Sequence, residues 1–132
     1  MNFIKLVSYF CVMIEKTAVK NFLTQFHASA KVWGIKFIDE RTKNFQALAV
    51  LEITSKLREE ILMKLTVEDY SEGPVKDKMS GWTDMWVFGK VVKKVEIYIK
   101  ITLGFKGIPG CICVSFHPAE HPMVYPLKGQ NK

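Results

Sequence analysis

A chain of 132 residues, 48% hydrophobic and 24% charged, with eight Gly and five Pro, has length for one compact core, and its ordinary globular usage excludes collagen-like, coiled-coil and wholly disordered chains. Nineteen Lys and Arg against thirteen Asp and Glu leave a net charge of +6 and a pI near 9.2, a surplus that favours polyanions, nucleic acid among them, and says nothing of the fold. Three Cys, two of them at Cys111 and Cys113, do not make a disulfide framework, because residues two apart on a strand lie too far apart to bridge comfortably; a reducing compartment is expected.

The chain is expected to be a single domain spanning residues 1–132. Its first residues, MNFIKLVSYFCVM, are apolar but broken by Ser8 and Tyr9 and followed by no small-x-small cleavage site. They make a poor signal peptide and are too short to cross a membrane. Two readings stay open: Met13 is the true start, with residues 1–12 an upstream extension, or an added N-terminal strand or helix packs on the domain and covers part of it. From Lys16 to about Val32 the apolar set Val19, Phe22, Leu23, Phe26 and Ala30 recurs at three and four residues, a helix with one buried stripe closed by Gly34. Ile35 to Asp39 alternates briefly as a short strand, entering a turn at Asp39 to Lys43. Asn44 to Leu51 is rich in helix formers, and Thr54 is placed to cap a further helix whose Leu57, Ile61, Leu62 and Leu65 share a face. Between Thr66 and Thr83 neither period holds, which predicts a long loop, functional or disordered.

Three β-rich runs follow: Met85 to Val92, Val95 to Leu103 and Cys111 to His117. Their short links predict hairpins, and the whole an α+β domain in which N-terminal helices pack on one face of a three- to four-stranded antiparallel sheet. In the middle run Val95, Ile97, Ile99 and Ile101 alternate with Glu96, Tyr98, Lys100 and Thr102; in the last, Ile112, Val114 and Phe116 alternate with Cys111, Cys113, Ser115 and His117. If the aliphatic faces are shared, Tyr98, Lys100, Ser115 and His117 stand together on the open surface. A solvated strand face is the plainer reading of each residue singly. Together they supply a proton carrier near neutral pH, a hydrogen-bonding hydroxyl and a cation for phosphate charge, the parts of a ribonuclease that needs no metal or cofactor.

His117-Pro118-Ala119-Glu120-His121 also fits H-x-x-E-H, the spacing of an inverted zinc-protease helix. Pro118 biases His117 away from helix, Pro122 closes the segment, and no acidic residue follows Glu120 as a third ligand, so no metal site is assigned. Instead His117 is placed on the sheet and Glu120 or His121 on a turn beside it, where Glu120 orients His117 or acts as base. Tyr70, in the expected loop, is a candidate to stack on a base beside the scissile phosphate. Trp33, Trp82 and Trp86 read as core or rim residues, Cys111 and Cys113 as small buried strand residues, and His27 as a surface or satisfied histidine.

The run Glu96-Ile97-Tyr98-Ile99-Lys100-Ile101, with Cys113-Val114-Ser115-Phe116 after a hairpin, resembles the C-terminal strands of the MqsR family of toxins, messenger-RNA interferases of RelE-like α+β fold. There the corresponding strand carries Tyr-x-Lys and the last strand ends in Ser-Phe-Lys. Leu65-Thr66, Asp69-Tyr70 and Trp86 look like further landmarks, so the resemblance covers the second half of the chain. It implies a cytoplasmic toxin that cleaves messenger RNA, on the ribosome or off it, and is held by a cognate antitoxin protein. Tyr98 falls on the family's catalytic tyrosine and Lys100 on the lysine two residues on, while His117 replaces a catalytic lysine and becomes the natural proton donor. Val87 stands where the family has a glutamine and Glu72 where it has a lysine, which passes the phosphate-clamp role to Lys90 or Lys100. The expected set is therefore catalytic His117, Tyr98, Lys100 and Glu120, with Lys90, Tyr70 and Ser115 binding substrate; the alternative is a module that binds RNA or protein with this face without cleaving.

Overall fold

The structure, a computed structural model, describes residues 2–38, 42–76 and 81–129. The chain runs through α1 (Phe3–Trp33), β1 (Lys36–Phe37), α2 (Thr42–Leu51), α3 (Ser55–Met63), a 3-10 turn (Val67–Asp69), β2 (Tyr70–Val75), β3 (Met85–Val92), β4 (Val95–Thr102) and β5 (Ile112–Pro118). One sheet is ordered β1-β5-β4-β3-β2; β2 to β5 pair antiparallel, and β1 pairs parallel with β5. The α+β class expected from the sequence is observed, but the sheet is five-stranded and mixed rather than three- to four-stranded and antiparallel. No helix among the described residues is long and apolar enough to cross a membrane.

The buried stripe of α1 is the one read from the sequence, Val19, Phe22, Leu23, Phe26 and Ala30. It lies on one face of the sheet, where Phe22 stacks on Trp86 with ring centroids 5.0 Å apart and Phe88, Ile97, Ile99 and Phe116 complete the core. Gly34 ends the helix at a φ of 75°, a backbone that suits glycine. At its other end α1 continues unbroken to Asn2, whose side chain accepts the Lys5 amide at 2.8 Å. These first turns do not cover the sheet, because Phe3, Ile4, Val7, Phe10 and Ile14 are exposed. At about 100° per residue, Phe3, Leu6, Val7, Phe10 and Ile14 fall on the side opposite the buried stripe, whereas Ile4 and Ser8 fall on the stripe's own side and are exposed too, so these turns run past the sheet rather than over it.

Thr54 caps α3 as expected, its Oγ1 accepting the Leu57 amide at 3.0 Å. The segment expected to be a loop contains instead the 3-10 turn and β2. Asp69 closes that turn by accepting the Thr66 amide at 2.9 Å, and β2 pairs with β3 through two register shifts, which is why no alternation shows in its sequence. Residues 77–80 of the expected loop, residues 39–41 of the expected turn and residues 130–132 of the tail lie outside the described residues.

The β3–β4 hairpin turns at Lys93 and Lys94, with φ of 51° and 69°, the left-handed pair that a two-residue link needs. Pairing of β4 with β5 slips once: Lys100 faces Ser115, whereas Ile101 faces Cys113, leaving Val114 as an extra residue. The slip overturns part of the expected face assignment. Cys113 and Cys111 join the core beneath the helices, while Ile112 and Val114 pack with Met85 in a second, smaller apolar cluster. Beyond the bulge the alternation resumes as read, with Phe116 inward and Ser115 and His117 outward.

Candidate functional site

On the open face, β4 and β5 set Tyr98 opposite His117 and Lys100 opposite Ser115. Cross-strand partners of an antiparallel pair project on the same side, so these four side chains form two rows of one surface. The rings of Tyr98 and His117 stack, with centroids 5.2 Å apart and planes 16° from parallel. Val87 of β3 pairs with Lys100 and extends the second row. Over this floor lies an open cavity of about 560 Å³, walled on one side by Ser71 and Glu72 of β2 and on the other by the segment after β5, including Glu120, His121 and Met123.

The chain reaches that second wall by ending β5 at Pro118. The Ala119 amide donates to the Glu96 carbonyl at 2.9 Å, and residues 120–124 then bend across the end of β4 rather than forming a helix. The helical spacing that H-x-x-E-H needs is therefore not realised: His117 belongs to a strand and His121 to a bend.

His117 Nδ1 lies 2.8 Å from the Pro118 carbonyl oxygen. A carbonyl only accepts, so Nδ1 carries a hydrogen in both charge states, and Nε2 is the nitrogen that gains and loses the proton. The ring is thereby set up as a base at Nε2 when neutral and as an acid at Nε2 when charged. Ser115 is 4% exposed and stands at the base of the cavity, with half-buried Lys100 beside it. The imidazoles of His117 and His121, the Tyr98 phenol, the Lys100 ammonium, the hydroxyls of Ser71 and Ser115 and the carboxylates of Glu72 and Glu120 thus line one open cavity.

Two expected site residues are not there. Lys90 pairs with Ile97, which places it on the helix-covered face, and its Nζ lies 3.2 Å from Asp69 Oδ2 in an ion pair. Its expected phosphate role is corrected on that ground, since the sheet itself separates it from the cavity. Tyr70 is 3% exposed, packed edge-on against Phe88 with its hydroxyl donating to the Gly73 carbonyl at 2.6 Å. Burial, then Glu15 and Glu72, push its hydroxyl up to about 12, and a core phenol of this kind is not available to stack on a base. The core also claims Trp86, while Trp82 packs on Phe105 at 4.6 Å and Trp33 is exposed. His27 is satisfied by the Leu62 carbonyl at 2.9 Å. Cys111 donates to the Phe26 carbonyl, and burial raises its thiol pKa, as befits an inert strand cysteine.

Glu72, Val87 and Glu120 reach the same cavity from three different segments. A turn beside His117 bearing Glu120 or His121 was expected, but the extension of that wall to Met123 was not, and no periodicity in the segment could have shown it. A comparison with protein-family models, with curated proteins and with solved structures finds no match to this chain.

Proposed function

We propose that the protein is a metal-independent endoribonuclease acting on messenger RNA, the toxin of a type II toxin–antitoxin pair in the cytoplasm. The observation that carries this reading is the stacked Tyr98–His117 pair beside Lys100 on the floor of an open cavity. The net charge of +6 favours a polyanionic substrate. The resemblance to the MqsR family supplies the antitoxin partner; of the positions it singles out, Glu72, Val87, Tyr98, Lys100 and His117 line that one cavity, while Leu65, Thr66, Asp69, Tyr70 and Trp86 do not.

The reaction needs no redox partner. Glu120 takes the proton of the ribose 2′-hydroxyl, and the 2′-oxygen attacks the adjacent phosphorus. The bond from phosphorus to the 5′-oxygen breaks as His117 Nε2 delivers its proton to that oxygen, leaving a 2′,3′-cyclic phosphate and a 5′-hydroxyl. Lys100 stabilises charge on the phosphorane, Tyr98 orients the imidazole by its stacked ring and relays protons through its hydroxyl, and Ser115 binds a phosphate oxygen. With Lys90 tied to Asp69 on the far face, Lys100 is the one of the two lysines named for the phosphate that keeps that role.

Purified protein incubated with a long single-stranded RNA in EDTA tests this directly. The parent is expected to cut, and His117→Ala to lose about 10²-fold to 10⁴-fold in turnover while its RNA affinity stays within about threefold. Persistence of cutting in His117→Ala would remove this mechanism. A second reading rests on Glu72 and Val87, which stand where the family carries lysine and glutamine: a module that binds RNA or protein on the same face without cleavage. It is favoured if neither protein cuts and His117→Ala changes RNA affinity only modestly.

A further inference from the structure

Glu96 stands on the open face at the start of β4, one row beyond Tyr98, and none of the chemistry above uses it. It touches the segment after β5 at three points. Its carbonyl accepts the Ala119 amide at 2.9 Å, its Oε1 accepts the Met123 amide at 3.0 Å, and its Oε2 accepts the Tyr125 hydroxyl at 2.6 Å. The residues bracketed by the first two points, Glu120, His121 and Pro122, are those that wall the cavity.

The surroundings fit the same purpose. Tyr125 and Met123 lie over Gly89, where an added Cβ would run into the Tyr125 hydroxyl and come within 2.8 Å of Met123 Sδ. Only glycine at that position lets the segment lie flat on the sheet. Two residues on, Leu127 is 1% exposed and belongs to the core, which fixes the far end. Burial and the Glu96 carboxylate both push the Tyr125 hydroxyl pKa up, consistent with a phenol that donates firmly to a carboxylate. Prolines at 118, 122 and 126 leave the stretch few backbone donors of its own, so its shape depends on what the sheet offers it.

We propose that Glu96 is a positioning residue: through its clasp on Ala119, Met123 and Tyr125 it holds the cavity wall that presents Glu120 and His121 opposite the Tyr98–His117 stack. Its part in catalysis rests on the ribonuclease reading; its part in building the wall does not. Carboxylates placed about an ångström out of line cost proton-transfer steps heavily, so the clasp acts on turnover more than on RNA capture.

The test compares Glu96→Ala, Glu96→Gln and Tyr125→Phe with the parent. Gln keeps both side-chain contacts, because its oxygen accepts the Met123 amide and its NH2 donates to the Tyr125 oxygen; Ala removes both, and Tyr125→Phe removes one without touching the sheet. In Glu96→Ala the Met123 amide is expected to exchange hydrogen at least about tenfold faster, and the ring signals of His117 and His121 in NMR spectra to move. Its kcat for RNA cleavage should fall about tenfold with KM within about threefold. Glu96→Gln restores all three readouts, and Tyr125→Phe falls between. Unchanged exchange and ring signals in Glu96→Ala, or a loosened segment with kcat intact, would overturn the proposal; if Glu96→Ala does not fold, Tyr125→Phe decides by the same readouts. A parent protein that cuts RNA neither free nor on ribosomes overturns the ribonuclease reading alone, and amide exchange and ring signals then decide whether Glu96 builds the wall.

Discussion

Lys90 and Lys100 are chemically alike, ten residues apart on neighbouring strands, and the sheet sends them to opposite faces. Lys100 shares its side with Ser115 and the cavity; Lys90 shares its side with Ile97 and is paired with Asp69. On the proposed ribonuclease reading, Lys100→Ala is therefore expected to lower RNA cleavage by about 10-fold to 10³-fold, because the negative charge of the phosphorane loses the ammonium that stabilises it. Lys90→Ala should leave cleavage unchanged, and because its side chain is 38% exposed the lost ion pair costs no more than about 1 kcal/mol in denaturant unfolding. Equal loss of activity in the two variants would contradict the assignment of faces. The sequence of β3 could not decide between them, since both parities of Met85-Trp86-Val87-Phe88 are apolar and only pairing with the clear alternation of β4 tells inside from out. The faces of β4 and of β5 beyond its bulge, by contrast, were legible, because Tyr98, Lys100, Ser115 and His117 stand out against apolar neighbours.

Among the elements, α1 carries two apolar stripes with different fates. The stripe from Val19 to Ala30 is the floor of the core, and the earlier one points away from it. Deleting residues 1–12, so that the chain starts at Met13, should shift the thermal midpoint by no more than a few degrees, because apart from half-buried Val12 the described side chains of that stretch make no part of the core. A collapse of the midpoint would mean that the first turns bear on the fold. The same element shows what periodicity does and does not carry: a 3.6-residue repeat announces a helix and its stripe, but whether a stripe meets anything depends on where the rest of the chain lies. β2 is the converse case. Its polar sequence and broken register hid a strand that only the hydrogen-bonding edge of β3 could recruit.

For the molecule as a whole, alkaline pH is a sharper stress than acid for the groups whose ionisation is perturbed. Tyr70 titrates at about 12 when folded against an ordinary 10, so between those values the unfolded chain holds fewer protons than the native one. Stability is then unaffected by this group below about pH 10 and falls as pH rises from there through about 12; Tyr125, shifted in the same direction, adds to the fall. Thermal unfolding followed from pH 8 to pH 11 should show the decline, and Tyr70→Phe, although less stable throughout for want of its bond to Gly73, should show a shallower one. A parallel decline in both proteins would rule out Tyr70 as a source.

From its order of residues alone this protein declares the apolar stripe from Val19 to Ala30 on its main helix, a cap at Thr54, three strands in series and one polar face bearing Tyr98, Lys100, Ser115 and His117, because each of these is written in a local period of 3.6 or of two or in a residue type at a helix end. The parallel pairing of β1, the recruitment of β2, the bulge that turns Cys113 inward, the exile of Lys90 and Tyr70 from the cavity and the wall held by Glu96 were decided by the tertiary structure. These depend on which backbone groups and side chains from distant segments meet across the sheet, and no local repeat encodes such a meeting.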